Sequence, residues 1–140
     1  MGYLSTFISV AEDCRATEGE VPPTKATVAA TQYAMLAGKP GHWIQEDVLL
    51  ASSPGVRGRD DVTDEELDRL RAEYFAEPRA CLRASPLPKS FGWGLYYDAE
   101  GRITLHAVDS SDYRRLSADP SLTQLRAMRS KRASASSPRD

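Results

Sequence analysis

At 140 residues the chain has the length of one domain. A hydrophobic fraction of 41%, a charged fraction of 27% and 8% aromatics exclude a fibrous or wholly disordered polypeptide. The formal charge of −2 argues against a strongly basic nucleic-acid binder. No apolar run approaches the roughly 18–20 residues of a membrane-spanning helix, so no membrane partner is expected. The first ten residues carry no Lys or Arg and lead straight to Glu12 and Asp13, so no export signal is read and a cytoplasmic location is expected. In that compartment Cys14 and Cys81, too few and too far apart for a disulfide framework or a zinc finger, would be free thiols.

In chain order, 5–10 alternates as a first strand, with Phe7, Ile8 and Val10 as its β-prone residues. An acidic loop over 12–23 ends at Pro22 and Pro23. Thr24 suits the N-cap of a helix to about Ala37, with Val28, Ala29, Tyr33 and Leu36 at helical spacing and Met35 beside them. Gly38 fits the left-handed position that closes a helix. The apolar run at 47–52 reads as a central strand. After a loop over 54–61, Thr63 and Glu66 form a capping box for a second helix with Leu67, Leu70 and Tyr74 on its inner face.

Trp93, Leu95 and Tyr97 alternate with smaller or polar neighbours, as do Ile103, Leu105 and Ala107, and Gly101 closes the turn between them: a β-hairpin. Ser110 or Ser111 caps a short helix through Leu116. Asp119-Pro120 opens another, with Leu122, Leu125 and Met128 inward. Residues 133–140 have nothing to bury and are expected to be a disordered tail. The order β-α-β-α-β-β-α predicts a single two-layer α+β domain over 1–132, with a mixed or antiparallel sheet and helices on one face.

Signals of catalysis are sparse. His42 and His106 have no metal-ligand partner at helical or turn spacing, and His106 falls on an outer strand face as an ordinary solvated histidine. The acidic run from Asp60 fails the calcium-loop pattern, because Val62 and Glu65 occupy its third and sixth positions. No metal, cofactor or catalytic set is therefore expected. Cys81, between Arg79 and Arg83, is the reactive-thiol candidate, since nearby guanidinium groups favour a thiolate. The plainer reading is a small buried hydrophobe.

The stretch 78–97 stands out: Arg79, Arg83 and Lys89, no acidic residue, and four of the chain's 11 aromatics. Pro86 and Pro88 stiffen it, and Gly92 and Gly94 flank Trp93. Cations beside an aromatic suit an anionic or planar ligand, so Arg79, Arg83, Lys89 and Trp93 form the candidate ligand site. Trp93 and Tyr97 at strand spacing also fit a core. The other candidate is the C-terminus, where residues 121–140 carry +4 and residues 1–120 carry −6. A basic helix with Arg126, Arg129, Lys131 and Arg132 could contact an acidic protein or nucleic acid, or simply complement its own dipole.

Several stretches follow a recurring pattern: Val10-Ala11-Glu12-Asp13-Cys14, Gly19-Glu20-Val21-Pro22-Pro23, Gln32-Tyr33-Ala34-Met35-Leu36, Cys81 to Lys89, Gly92-Trp93-Gly94 and Met128-Arg129-Ser130-Lys131-Arg132. In these the chain resembles a small family of uncharacterised bacterial proteins classed as a domain of unknown function. The resemblance covers about residues 5–133 and is most specific at 81–94. Gly41-His42-Trp43-Ile44 matches the family's aromatic stretch only in part. The resemblance implies a bacterial, cytoplasmic, stand-alone domain and carries no activity, cofactor or catalytic residue. The leading expectation is a small ligand-binding domain. An interaction module using 126–132 is the alternative, and the hairpin edge leaves room for a homodimer.

Overall fold

The computed structural model describes residues 2–25 and 27–129. Its centre is a four-stranded mixed sheet in the order β3-β2-β1-β4, built from β1 (Thr6–Ser9), β2 (Trp93–Tyr97), β3 (Ile103–Ala107) and β4 (Thr123–Arg126). Strands β1 and β2 pair antiparallel with Ile8 opposite Leu95, and β2 and β3 form the expected hairpin with Leu95 opposite Leu105. Strand β4 runs parallel to β1 with Ile8 opposite Leu125. One sheet face therefore carries Ile8, Leu95, Tyr97 and Ile103, all fully buried. Helices α1 (Val28–Gly38), α2 (Gln45–Ala51) and α4 (Pro86–Ser90) supply the other side of that core. The protein is a single small α+β domain. A fifth helix, α5 (Ser111–Ser117), is capped by Ser110 as expected and lies on the opposite face, its Tyr113 edge-on to the buried Phe7.

Three elements differ from expectation: α4 forms where only a proline-stiffened stretch is read, and two others change type. Residues 47–52 are mostly helix, not strand: α2 buries Val48, Leu49 and Leu50 together. A short continuous apolar run has no period to distinguish helix from strand. What decides it lies just before the run, where the Asp47 carboxylate accepts the Ile44 N–H and Glu46 and Asp47 complement the helix dipole. The final helix is likewise absent. Asp119 instead closes a turn, accepting the N–H and Oγ–H of Ser121, and the chain then joins the free side of β1. Leu125 and Ala127 face the core at strand spacing, Leu122 is half-buried, and Met128 is 51% exposed. A buried strand needs partners on both edges, and that demand overrides local helical spacing.

Smaller adjustments follow the caps. Thr27, not Thr24, caps α1 by accepting the Ala30 N–H, and its buried stripe is Ala29, Gln32 and Leu36. Gly38 stays inside the helix, and it is Gly41 that takes positive φ, at 70°. Thr63 does cap α3 (Asp64–Tyr74), accepting from Glu66 N, but α3 buries no residue fully, and Leu67, Leu70 and Tyr74 are only half-buried. His106 is also half-buried rather than solvated, bonded to Thr104 at 2.9 Å. The outer edge of β3 is partly covered, since Ile103 exchanges hydrogen bonds with Gly41 and Trp43. Residues 130–140, with the expected disordered tail, lie outside the described residues.

Candidate functional site

The concave surface of the domain gathers where α2 ends, α3 ends and the chain climbs through 79–86. At the end of α2 two buried hydroxyls turn back on their own helix: Ser52 Oγ donates to Val48 O (2.8 Å) and Ser53 Oγ to Leu50 O (2.6 Å). The chain then folds over Ser53, whose carbonyl accepts the Arg57 N–H at 2.8 Å. This curl brings Arg57 back to the helix end, where Nη1 donates to Ser52 O at 3.0 Å. The exit of α3 places Tyr74, and Arg79 returns to it: Nε donates to Tyr74 O (2.7 Å) while the guanidinium lies 4.1 Å over the ring. A 3-10 turn over Leu82–Ala84, then Ser85 as N-cap of α4 and Pro86 at its first position, forms the opposite wall.

Two cavities of about 300 and 290 Å³ occupy this surface. They share Ser53, Pro54 and Tyr74, so they form one groove. Arg57 borders the first and Arg79 the second. Beneath the first runs a buried polar chain. Ser85 Oγ donates to Gln32 Oε1, Gln32 Nε2 donates to Ser52 Oγ at 3.1 Å, and Ser85 Oγ in turn accepts the Leu87 N–H. These donors and acceptors hold one another, so the floor is rigid as well as polar.

The charge pattern is asymmetric. Arg59, Arg69, Arg71, Arg102, Arg115 and Arg129 each meet a carboxylate. Among the described residues Arg57 and Arg79 meet none, and the lining of the first cavity contains no Asp or Glu. The second cavity has Glu73, already 3.1 Å from Arg69. Arg15, Arg83, Arg114 and Arg126 also meet no carboxylate among the described residues but line neither cavity, whereas Arg57 and Arg79 border the groove, each anchored through one nitrogen to a backbone carbonyl with further N–H donors left for a ligand.

Cys81 lines the first cavity, and its Sγ lies 3.1 Å from the Tyr3 hydroxyl. Burial raises the pKa of Tyr3, the Cys81 contact adds to this, and Arg83 opposes it. Burial likewise raises Tyr97, whose hydroxyl donates to Gln45 Oε1 at 2.7 Å. Both phenols therefore stay protonated near neutral pH and neither acts as a base toward the thiol. The imidazoles are engaged elsewhere, His42 against the Trp43 ring and His106 on Thr104. Among the described residues no group of three or more His, Cys, Asp or Glu could hold a metal ion, and no helix is long and apolar enough to cross a membrane.

Of the residues singled out by sequence, the fold brings Arg79 and Cys81 to the groove. Arg83 faces β4, donating through Nε to Arg126 O (2.8 Å) and accepting the Met128 N–H on its carbonyl (2.9 Å), which ties the last strand down. Lys89 lies in the last turn of α4, outside these cavities. Trp93 is half-buried, its Nε1 donating to Glu20 O at 2.8 Å and its ring tilted on Tyr33. The flanking glycines are explained by the protein itself. A Cβ on Gly92, at φ 80°, would meet Glu18 O at 2.3 Å, and one on Gly94 would meet Phe7 Cζ at 2.5 Å. At the C-terminus, Arg126 ends β4 rather than standing in a helix and donates to Val10 O, while Arg129 pairs with Glu12 at 2.6 Å. Lys131 and Arg132 lie outside the described residues. The groove residue that sequence reasoning missed is Arg57. Only folding separates it from Arg59, which pairs with Asp61 and Glu66.

Fold and groove together define a small α+β domain with a polar-floored, cation-bordered cleft. The chain belongs to the family of unknown function DUF6157, whose model matches residues 1–133. Comparison with curated proteins finds no match, and comparison with solved structures finds none.

Proposed function

We propose that the protein is a binding domain for a small anionic ligand, held in the groove between Arg57 and Arg79. The observation that carries this reading is a concave surface bordered by two guanidinium groups without carboxylate partners, in a chain of net negative charge where six other arginines among the described residues meet a carboxylate. An anion there gains charge-assisted hydrogen bonds from donors already held in place. The buried hydroxyl and amide chain of Ser52, Gln32 and Ser85 holds the floor of the groove in a fixed geometry beside Arg57.

The test uses Cys81 as a reporter, because this half-buried residue is part of the cleft lining. In a Cys14→Ser background, labelling of Cys81 by a maleimide is timed with and without inorganic phosphate, acetate and benzoate. At least one anion is expected to slow labelling. Arg57→Gln should weaken that protection about tenfold to a hundredfold, the worth of a hydrogen bond to a charged group. Protection unchanged in Arg57→Gln, or protection by no anion, overturns the reading.

A further inference from the structure

We infer that the ligand is an amphiphilic monoanion, a medium-length acyl chain ending in a carboxylate; this deepens the anion-binding reading and rests on it. A third cavity, of about 370 Å³, opens between Pro22 and Pro23, the first turn of α1 and Phe91 at the end of α4. It shares Val28 and Pro86 with the first cavity, so it continues the groove away from Arg57. Its walls are Pro22, Pro23, Val28, Ala29, Pro86 and Phe91, with no charged side chain. Two threonines complete it, and the Thr27 hydroxyl is already used, accepting from Ala30 N and donating to Thr24 O.

Polarity therefore falls in one direction across three adjoining cavities that share lining residues. Guanidinium groups border one end, hydroxyls and a buried amide floor the middle, and proline and phenylalanine line the far end. A compact dianion or a sugar phosphate would use the first part and leave the last unfilled. Polar groups pushed into that last part would lose water without gaining partners. A wholly apolar ligand would leave Arg57 without an anion. A carboxylate at Arg57 with a slender hydrocarbon passing over Val28 and Pro86 satisfies both ends, and the chain's transfer from water drives its insertion.

The experiment is a titration with acetate, butyrate, hexanoate and octanoate at constant ionic strength, followed by amide chemical shifts. It is run on the full chain, on Arg57→Gln and on Thr24→Trp. Thr24 is exposed at the mouth of the apolar part, so a bulky residue there fills the recess without touching the core. In the wild type, affinity should rise about fourfold for each methylene that enters the apolar part. Arg57→Gln should weaken every acid by about the same factor, tenfold or more, and keep the increment per methylene. Thr24→Trp should keep the binding of the short acids and abolish the increment. Arg57-dependent binding that does not grow with chain length overturns the amphiphile and leaves the anion site standing. Absence of binding by any of the acids overturns both. Octanoate binding equally to all three proteins would show that the chain sits elsewhere and overturns the amphiphile.

Discussion

The tightest side-chain packing within β2 is at Gly94, and it gives the sharpest stability prediction. A methyl group there would lie 2.5 Å from Phe7 Cζ and 2.7 Å from Tyr113 Cε2, well inside van der Waals contact. Phe7 is fully buried and cannot retreat, so the strain passes to Tyr113 and to α5, only seven residues long. Overpacking of this kind costs about 1–3 kcal/mol. Moving Tyr113 also breaks its hydroxyl's bond with Val10 N–H (3.0 Å), worth about 1 kcal/mol. Gly94→Ala should therefore lose about 2–4 kcal/mol, and at about 4 °C per kcal/mol for a domain of this size the melting temperature should fall by about 8–16 °C. The control is Phe7→Leu, which removes the Cζ atom that the new methyl meets. If the clash is the cause, Gly94→Ala and Phe7→Leu together should cost at least 1 kcal/mol less than the sum of the single changes in urea denaturation. Strict additivity, or a Gly94→Ala protein as stable as the wild type, would refute the packing argument.

Two further predictions concern buried polar groups. Gln32→Leu keeps the volume but removes the acceptor of the Ser85 hydroxyl and the donor to Ser52, so it should cost about 1–3 kcal/mol by urea denaturation with an unchanged m-value. A neutral result would mean that water reaches this floor. Burial lowers the pKa of His106, with Asp112 opposing and Arg115 adding to the shift. The unfolded chain then takes up the proton first, so stability should fall as pH drops below about 6.5, the ordinary histidine value. His106→Asn should flatten that slope between pH 5 and 7, and an identical slope in the variant would assign the acid sensitivity to other groups.

Most of the fold was legible because periodicity and caps agree with the tertiary structure over β1, α1, α3, the hairpin and α5. The failures share one cause. At 47–52 and 119–128 the local pattern is compatible with either state, and the choice was made by contacts that periodicity does not show: the Asp47 cap on the Ile44 N–H, braced from far along the chain, and the free edge of β1. Asp47 is held by Arg71 at 2.7 Å, far along the chain on α3, and β4 exists because β1 has a free edge. No window of a dozen residues contains either fact. The α1 cap differs for a smaller reason: Thr24 and Thr27 are chemically equivalent caps, and the chain used the second.

The candidate site was less legible, and the stretch 78–97 explains why. Its composition is unusual, yet most of what makes it so is consumed internally. Gly92 makes room for the backbone at Glu18, Gly94 for Phe7 and Tyr113, Trp93 caps the carbonyl of Glu20, and Arg83 fastens β4. Such features mark where the fold is demanding, and composition alone gives them the same appearance as a ligand platform. What marks a candidate binding cation is the absence of a carboxylate beside it together with a place on the wall of a concavity. Arg57 and Arg79 combine the two, whereas Arg83, Arg114 and Arg126 meet no carboxylate among the described residues but line neither cavity, and the combination is invisible in sequence, since Arg57 stands two residues from an arginine that is paired twice. In a chain of near-balanced charge, where cations and anions mostly neutralise each other at the surface, the informative residues are those the pairing leaves over inside a concavity. On that criterion the groove is the place we propose for an anion, while at the C-terminus Arg129 is paired with Glu12.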